Sequence, residues 1–314
     1  MLQMTHKRLS AVADDTYIHC LTGKQYTQMV QEHLPQMPTE NILSEPIGKS
    51  SAPPILWAAL ELMKIDSDAV MIICPSDHTV GDEPAFIKAL EDAVRFATEH
   101  DALLTLGITP HRPHTGYGYI HYDRETSEGK VFSALKFTEK PDLGRAQRFM
   151  ASGNYLWNAG IFVWKASVII EAFKRFQPKM HEQFTTMTAD EAFAACEEIS
   201  IDYAILEHAN NIFVRPVTCA WSDVGTWGGL WEELQKNGDG NVVVGNNNVQ
   251  ILNTENTLII SQNPDSERLI AIEGLTDICV VDTGDVLLVC NRHAESALKK
   301  LRKSLGEKER KQYW

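Results

Sequence analysis

The chain has 314 residues, 44% hydrophobic and 23% charged, with a formal net charge of −13 at pH 7. That length holds one large domain and a smaller one, and the composition is that of an ordinary globular protein. The acidic balance excludes a general nucleic-acid-binding surface, although one metal ion and a few basic side chains still make a local site for a nucleotide. No apolar run reaches membrane-spanning length and no signal peptide opens the chain, so the expectation is a cytoplasmic protein without a membrane segment. Six cysteines stand singly (Cys20, Cys74, Cys196, Cys219, Cys279 and Cys290), which suits buried thiols in a reducing compartment.

In chain order, Met1 to Val12 reads as a helix with Leu2, Leu9 and Val12 apolar, Thr16 to Thr22 as a strand, and Lys24 to His33 as a helix. Ile42 to Glu45 is a short strand before a polar loop, and a helix over Ile55 to Lys64 starts just after Pro53 and Pro54. Residues 69–74 are uniformly apolar, the pattern of a central strand buried on both faces of a parallel sheet. Pro75 stops that strand and leaves Asp77 and His78 just past its carboxyl end, the edge where open α/β sheets bind ligands. A helix over 84–99 and a buried-type strand over 102–108 continue the strand–helix alternation of a doubly wound sheet. Tyr117 to Tyr122 and Val131 to Glu139 then read as strands, 142–151 as a helix, Trp157 to Trp164 as a strand and 166–176 as a helix. Ala189 to Ser200 and Asp202 to His208 read as helical, Ile212 to Ala220 as a strand, and 227–236 as a helix.

Composition changes at Asn237-Gly238-Asp239-Gly240, which divides an α/β domain (1–237) from a β-rich domain (238–314). Short β runs over 242–244, 249–252, 257–260, 269–272, 278–281 and 286–290 suggest a small β-solenoid or sandwich, closed by a helix over Ala294 to Leu305 and a charged tail. The β-rich segment and that helix suggest a homodimer interface.

Several positions suit chemistry. Asp77 and Asp223 both follow apolar strand-like runs. A shared sheet edge would let their two carboxylates hold Mg2+, which prefers oxygen ligands; Asp77 also reads as the cap of the next helix. Lys140, fixed by Pro141, is a point charge for a phosphate or a solvated strand end. Asn158 is polar where a buried strand begins, and it hydrogen-bonds either sugar hydroxyls or its own backbone. Gly116 and Gly118 flank Tyr117 and permit close backbone approach to a ligand, or form a hairpin turn. No Gly-x-Ser-x-Gly elbow or complete Walker loop is present.

Taken in order, Glu45-Pro46 with Ser51-Ala52-Pro53, Pro75-Ser76-Asp77-His78, Thr115-Gly116-Tyr117-Gly118-Tyr119-Ile120, Phe137-Thr138-Glu139-Lys140-Pro141, Trp157-Asn158-Ala159-Gly160, Ser200-Ile201-Asp202-Tyr203-Ala204 and Trp221-Ser222-Asp223-Val224-Gly225 resemble the sugar-nucleotide nucleotidyltransferases of the mannose 1-phosphate guanylyl branch. The resemblance implies a Rossmann-like mixed α/β sheet with a small β-solenoid-like domain, and a reaction of GTP with mannose 1-phosphate that yields GDP-mannose and diphosphate. In it the sugar phosphate attacks the α-phosphorus in line, so no protein nucleophile is needed. The resemblance also implies roles. Asp77 and Asp223 hold Mg2+, and Lys140 holds the sugar phosphate. Glu139, Asn158 and the Gly116 backbone read sugar hydroxyls, with Tyr117 and Asp202 beside them. Glu45, Ser51 and Pro53 lie near the guanine. Members of that family begin with a buried strand and a Gly-rich triphosphate loop, and this sequence joins the pattern after them. The expectation is a sheet short of one strand and poor GTP turnover by these residues. Two further readings are a non-catalytic subunit that pairs with a full-length copy, and a phosphohydrolase acting through Asp77 and Asp223.

Overall fold

The computed structural model describes residues 1–245, 248–262 and 268–294, together with 298, 300, 301, 304 and 305. It forms two compact units, Met1–Trp221 and Ser222–Trp314. None of the described helices is long and apolar enough to cross a membrane.

The first unit opens with α1 (Leu2–Leu9), shorter than the helix expected over 1–12. The strand expected from Thr16 begins only at Cys20. Asp14 accepts hydrogen bonds from both the N–H and the hydroxyl of Thr16, which winds 15–17 into a 3-10 turn. β1 (Cys20–Gly23), α2 (Thr27–His33) and β2 (Ile42–Glu45) follow, and β1 and β2 pair in parallel as a separate two-stranded sheet. α3 (Ala52–Ile65) takes Pro53 and Pro54 into its first turn, where a missing N–H costs no hydrogen bond.

The chain continues through β3 (Val70–Ile73), β4 (Thr79–Val80), α4 (Glu83–Glu99), β5 (Leu103–Ile108), β6 (Tyr119–Glu128) and β7 (Val131–Thr138). Then come α5 (Leu143–Ser152), β8 (Tyr155–Lys165), α6 (Ala166–Phe176), α7 (Pro178–Thr186) and α8 (Ala189–Ala195). A π-helical turn over Asp202–Leu206 leads into β9 (Ile212–Val217). The main sheet has the order β3-β8-β5-β9-β7-β6, with β6 also pairing β8. It is mixed: β8 runs antiparallel to β3, β5 and β6, whereas β5 and β9 are parallel.

The apolar run at 69–74 does not form a central strand. Among the described residues β3 lies at the end of the sheet and pairs only with β8. Its composition reports cover on its two faces and says nothing of neighbours along its edges. Val70 and Ile72 pack into the core that holds Phe86, Leu90, Leu104 and Leu106, while Met71 and Ile73 pack into the one that holds Leu56, Trp164 and Phe173. Helices therefore cover both faces of the sheet.

One charged pair crosses the α4 side of that core. Asp92 of α4 and Arg215 of β9 are each 7% exposed, and Arg215 Nη2 and Nε donate to Asp92 Oδ2 at 2.9 and 3.3 Å. Burial works against the Asp92 charge, but the Arg215 hydrogen bond and charge prevail and hold its carboxyl below the usual range.

In the second unit a helix over Trp227–Glu233 packs Trp227, Leu230 and Trp231 onto Val242, Leu258, Ile260, Cys279 and Val281. Strands Val242–Val244, Leu258–Ser261 and Ile278–Asp282 pair in parallel, and Leu287–Asn291 closes that sheet antiparallel. Val249–Leu252 and Ile270–Glu273 form a second parallel sheet. Val249 stands beside Ile270 and Leu258 beside Cys279, a spacing of 21 residues in both cases, which is the repeat of a β-solenoid coil. The closing helix expected over Ala294 to Leu305 lies largely outside the described residues, and the tail after it wholly so.

Replacing Asp92 with Ala strands a buried guanidinium, and a loss of about 3 kcal/mol is expected in urea unfolding. The double change Asp92→Leu, Arg215→Met is expected to recover most of it.

Candidate active site

β3, β5 and β9 point their carboxyl ends to one edge of the main sheet, and β8 runs the other way and begins there. Asn158, near the start of β8, pairs with Gly107 of β5. Its side-chain amide is a junction. Oδ1 accepts from Thr105 Oγ1 at 2.8 Å and from Gly160 N at 3.2 Å, and Nδ2 donates to Asp202 Oδ1 at 3.0 Å. Its backbone N–H donates to the Gly118 carbonyl at 2.8 Å. Both lone pairs of Oδ1 are thus engaged, and one amide N–H is left for a ligand.

Glu139 and Lys140 follow β7. The Glu139 side chain is 7% exposed, its N–H donates to Glu207 Oε1 at 3.1 Å, and Lys140 Nζ reaches its Oε1 at 2.6 Å. Lys140 sits at φ +41°, a left-handed conformation rare for a side chain of this kind and rarer before a proline. Strain of that order persists where surrounding structure enforces a geometry. Burial opposes the Lys140 charge, yet the hydrogen bond and charge of Glu139, with the charge of Asp202, raise its pKa. Gly118 lies so close to Glu139 that a Cβ there would stand 2.5 Å from Oε2, which is why this position has no side chain. Asp202 is pushed up to about 6, first by burial and then by the Glu139 charge.

The segment after β3 is held against this group. Gly160 (φ +67°) passes beneath it, and an added Cβ there would lie 3.8 Å from both Pro75 Cγ and His78 Cε1. Asp77 itself is exposed. Trp221 donates its indole N–H to His78 Nδ1 at 3.2 Å, with the rings edge to face at 5.2 Å. Tyr117 stacks on His114 at 3.9 Å and meets Trp221 at 5.5 Å, which makes an aromatic wall beside Gly116. From the other side, α1 grips the loop: Thr5 Oγ1 donates to Ser76 O at 3.2 Å and Arg8 Nη2 to His78 O at 3.0 Å.

The structure therefore brings Glu139, Lys140, Asn158 and Asp202 into one hydrogen-bonded and charge-coupled group, with the 75–78 loop packed beside it. Glu45, half-buried with its pKa raised by burial, Ser51 and Pro53 stand outside that bonded group. Ser51 Oγ instead accepts from Ile201 N at 2.9 Å and anchors the chain just ahead of Asp202, and Pro53 is buried in the first turn of α3. Asp223 belongs to the second unit. There its Oδ1 accepts from Gly225 N at 3.3 Å, and Val224 between them takes φ +44°.

Thr5, Arg8, Thr105 and Glu207 escaped the sequence reading. Thr5 alone left a trace, a polar residue at helical spacing between Leu2 and Leu9 on the inward face of α1.

Residues 1–239 match the Nucleotidyl transferase family, and 245–305 match the MannoseP isomerase/GMP-like beta-helix domain. The chain is 36% identical over 323 residues to the mannose-1-phosphate guanylyltransferase of Escherichia coli strain K12, covering 96% of this chain and 65% of that protein. It is 38% identical over 307 residues to the xanthan biosynthesis protein XanB of Xanthomonas campestris pv. campestris strain B100, covering 93% of this chain and 63% of that one. The chain thus spans just under two thirds of the length of these curated relatives. A crystal structure of mannose-1-phosphate geranyltransferase from Thermus thermophilus superposes with a TM-score of 0.86 at 27% identity, covering 97% of this chain and 89% of that one. The fold, the ordered motifs and these matches agree: the chain belongs to the nucleotidyl transferase family.

Proposed function

We propose that the protein transfers a guanylyl group from GTP to mannose 1-phosphate, giving GDP-mannose and diphosphate, as the name of its Escherichia coli relative describes for that protein. One observation carries the reading for the metal end of the site. Trp221, two residues before Asp223 in sequence, donates to His78, the residue after Asp77. That contact supports assigning Asp77 and Asp223 as the pair that holds a divalent cation. The donor set fits a hard cation: both are carboxylates, and Asp77 is exposed. We assign Mg2+ on that chemistry. When bound, the cation supplies charge neutralisation to the triphosphate and the departing diphosphate.

The chain's own residues do the rest. Lys140, kept cationic by Glu139, meets the sugar phosphate as a point charge. Asn158 offers its remaining N–H to a sugar hydroxyl, and Glu139 with the Gly116 backbone accepts from others. Asp202 fixes the Asn158 amide. Tyr117 lines the pocket, and Glu45, Ser51 and Pro53 lie toward the base. Holding two anions in line converts an encounter of two solutes into a step between neighbours. In the second unit Leu287 and Val289 are 58% and 56% exposed on the closing strand, which supports a homodimer formed through that face. Six free cysteines support a cytoplasmic setting.

Diphosphate release is expected only when GTP, mannose 1-phosphate and Mg2+ are all present; phosphate release from a single substrate overturns the reading. Asp77→Asn and Asp223→Asn are each expected to lower kcat by roughly 100-fold or more. Lys140→Met is expected to raise KM for mannose 1-phosphate by about 10-fold or more.

The pH response of Asp202 has a definite sign. Its folded pKa, about 6, lies above the usual 3.8, so ionising it costs the fold stability. Relative to Asp202→Asn, which cannot ionise, the wild-type chain is expected to lose on the order of 3 kcal/mol as pH rises from about 4 to about 7. Urea unfolding of both proteins across that range checks it, and a constant difference contradicts it.

A further inference from the structure

The first helix grips the loop beside the site from outside it, and it holds a charge where charges are costly. Arg8 is 4% exposed and Thr5 is 6% exposed. Burying a guanidinium costs several kcal/mol unless partners replace water. Here the replacements are few and directed at one place. Arg8 Nη2 donates to His78 O at 3.0 Å and to Thr5 Oγ1 at 2.8 Å, and Thr5 Oγ1 passes a hydrogen bond on to Ser76 O at 3.2 Å. Arg8 Nη1 has Glu83 Oε1 at 3.9 Å and no hydrogen bond among the described residues. The two carbonyls so gripped belong to the residues on either side of Asp77. The loop is irregular, Pro75 has no N–H to contribute, and Ser76 and Asp77 reach toward solvent.

We infer that Arg8, working with Thr5, is a positioning residue for the Asp77 carboxylate: it clamps the backbone on both sides of Asp77 and so sets the direction from which that side chain meets the metal. The inference rests on the assignment of Asp77 as a metal ligand. A charge-assisted bond to each flanking carbonyl, one direct and one through a hydroxyl, removes the peptide rotations that would swing Asp77. Loss of the clamp frees those carbonyls to turn toward water, and the ordering then has to be supplied when the cation binds. Arg8 touches neither substrate nor metal in this role.

Mn2+ binding to the full chain, followed by electron paramagnetic resonance, tests this without relying on turnover, with thermal unfolding recorded for every variant. Asp77→Asn is expected to abolish the Mn2+ site. Arg8→Met is expected to weaken Mn2+ binding by about 10-fold, and Thr5→Val by about 3-fold, because one of the two carbonyls stays held. Arg8→Lys, which keeps one charged donor, is expected to recover part of the loss. Leu90→Ala, a core change away from the loop, is expected to lower the unfolding midpoint and leave Mn2+ affinity unchanged. If Arg8→Met does not fold, Thr5→Val decides. Arg8 and Thr5 variants that unfold earlier but bind Mn2+ like the wild type show a purely structural role and overturn the inference while the metal assignment stands. A wild-type chain without an Mn2+ site sensitive to Asp77→Asn overturns the metal assignment, and this inference with it.

Discussion

The geometry of the first unit turns on one amide. Asn158 ties the middle of β5 through Thr105, the turn at Gly118 through its own N–H, and the π-helical turn through Asp202. Each of the three segments brings a different chemical group to that amide: a hydroxyl, a backbone carbonyl and a carboxyl. An amide suits the junction because it presents acceptors and donors on opposite ends of a flat group, so it joins a hydroxyl and a carboxyl at a fixed separation. Partial burial makes the arrangement demanding, since a lost partner leaves a polar atom poorly served by water.

The charges around that junction follow a consistent pattern. Glu139 is nearly buried and has the Lys140 ammonium on one oxygen, while Asp202 has only weak compensation and resists ionising. The site thereby holds, beside a carboxylate–ammonium contact, one acid that changes state near pH 6. Backbone strain at Lys140 belongs to the same arrangement, because the left-handed turn before Pro141 is what lays the ammonium back across Glu139.

Much of the fold is legible in the amino-acid pattern. Runs such as 103–108 and 155–165 and the stripe on α4 name their elements because burial on a strand or helix leaves a period behind. Pairing does not show. The same apolar composition serves a strand in mid-sheet and one at its edge, so the place of Val70–Ile73 stays hidden. α7 is hard to read because its inward stripe is only Met180 and Phe184 among polar residues. At the site, residue types at strand ends are readable, and Glu139, Lys140, Asn158 and Asp202 do meet. Ser51 is legible as a motif but not as the anchor of Ile201, and Arg8 reads as any solvated arginine on a short helix. Long-range hydrogen bonds of that kind leave no local period in a sequence.

The coil of the second unit constrains how that part of the chain can change in length. Because Val249 lies beside Ile270 and Leu258 beside Cys279, adding or removing one whole winding keeps every inward side chain inward. A change by an odd number of residues within a strand turns its apolar set outward. Variation in this segment is therefore quantised: it tolerates loss or gain in complete windings, and lengths in between are confined to the corners where the backbone turns.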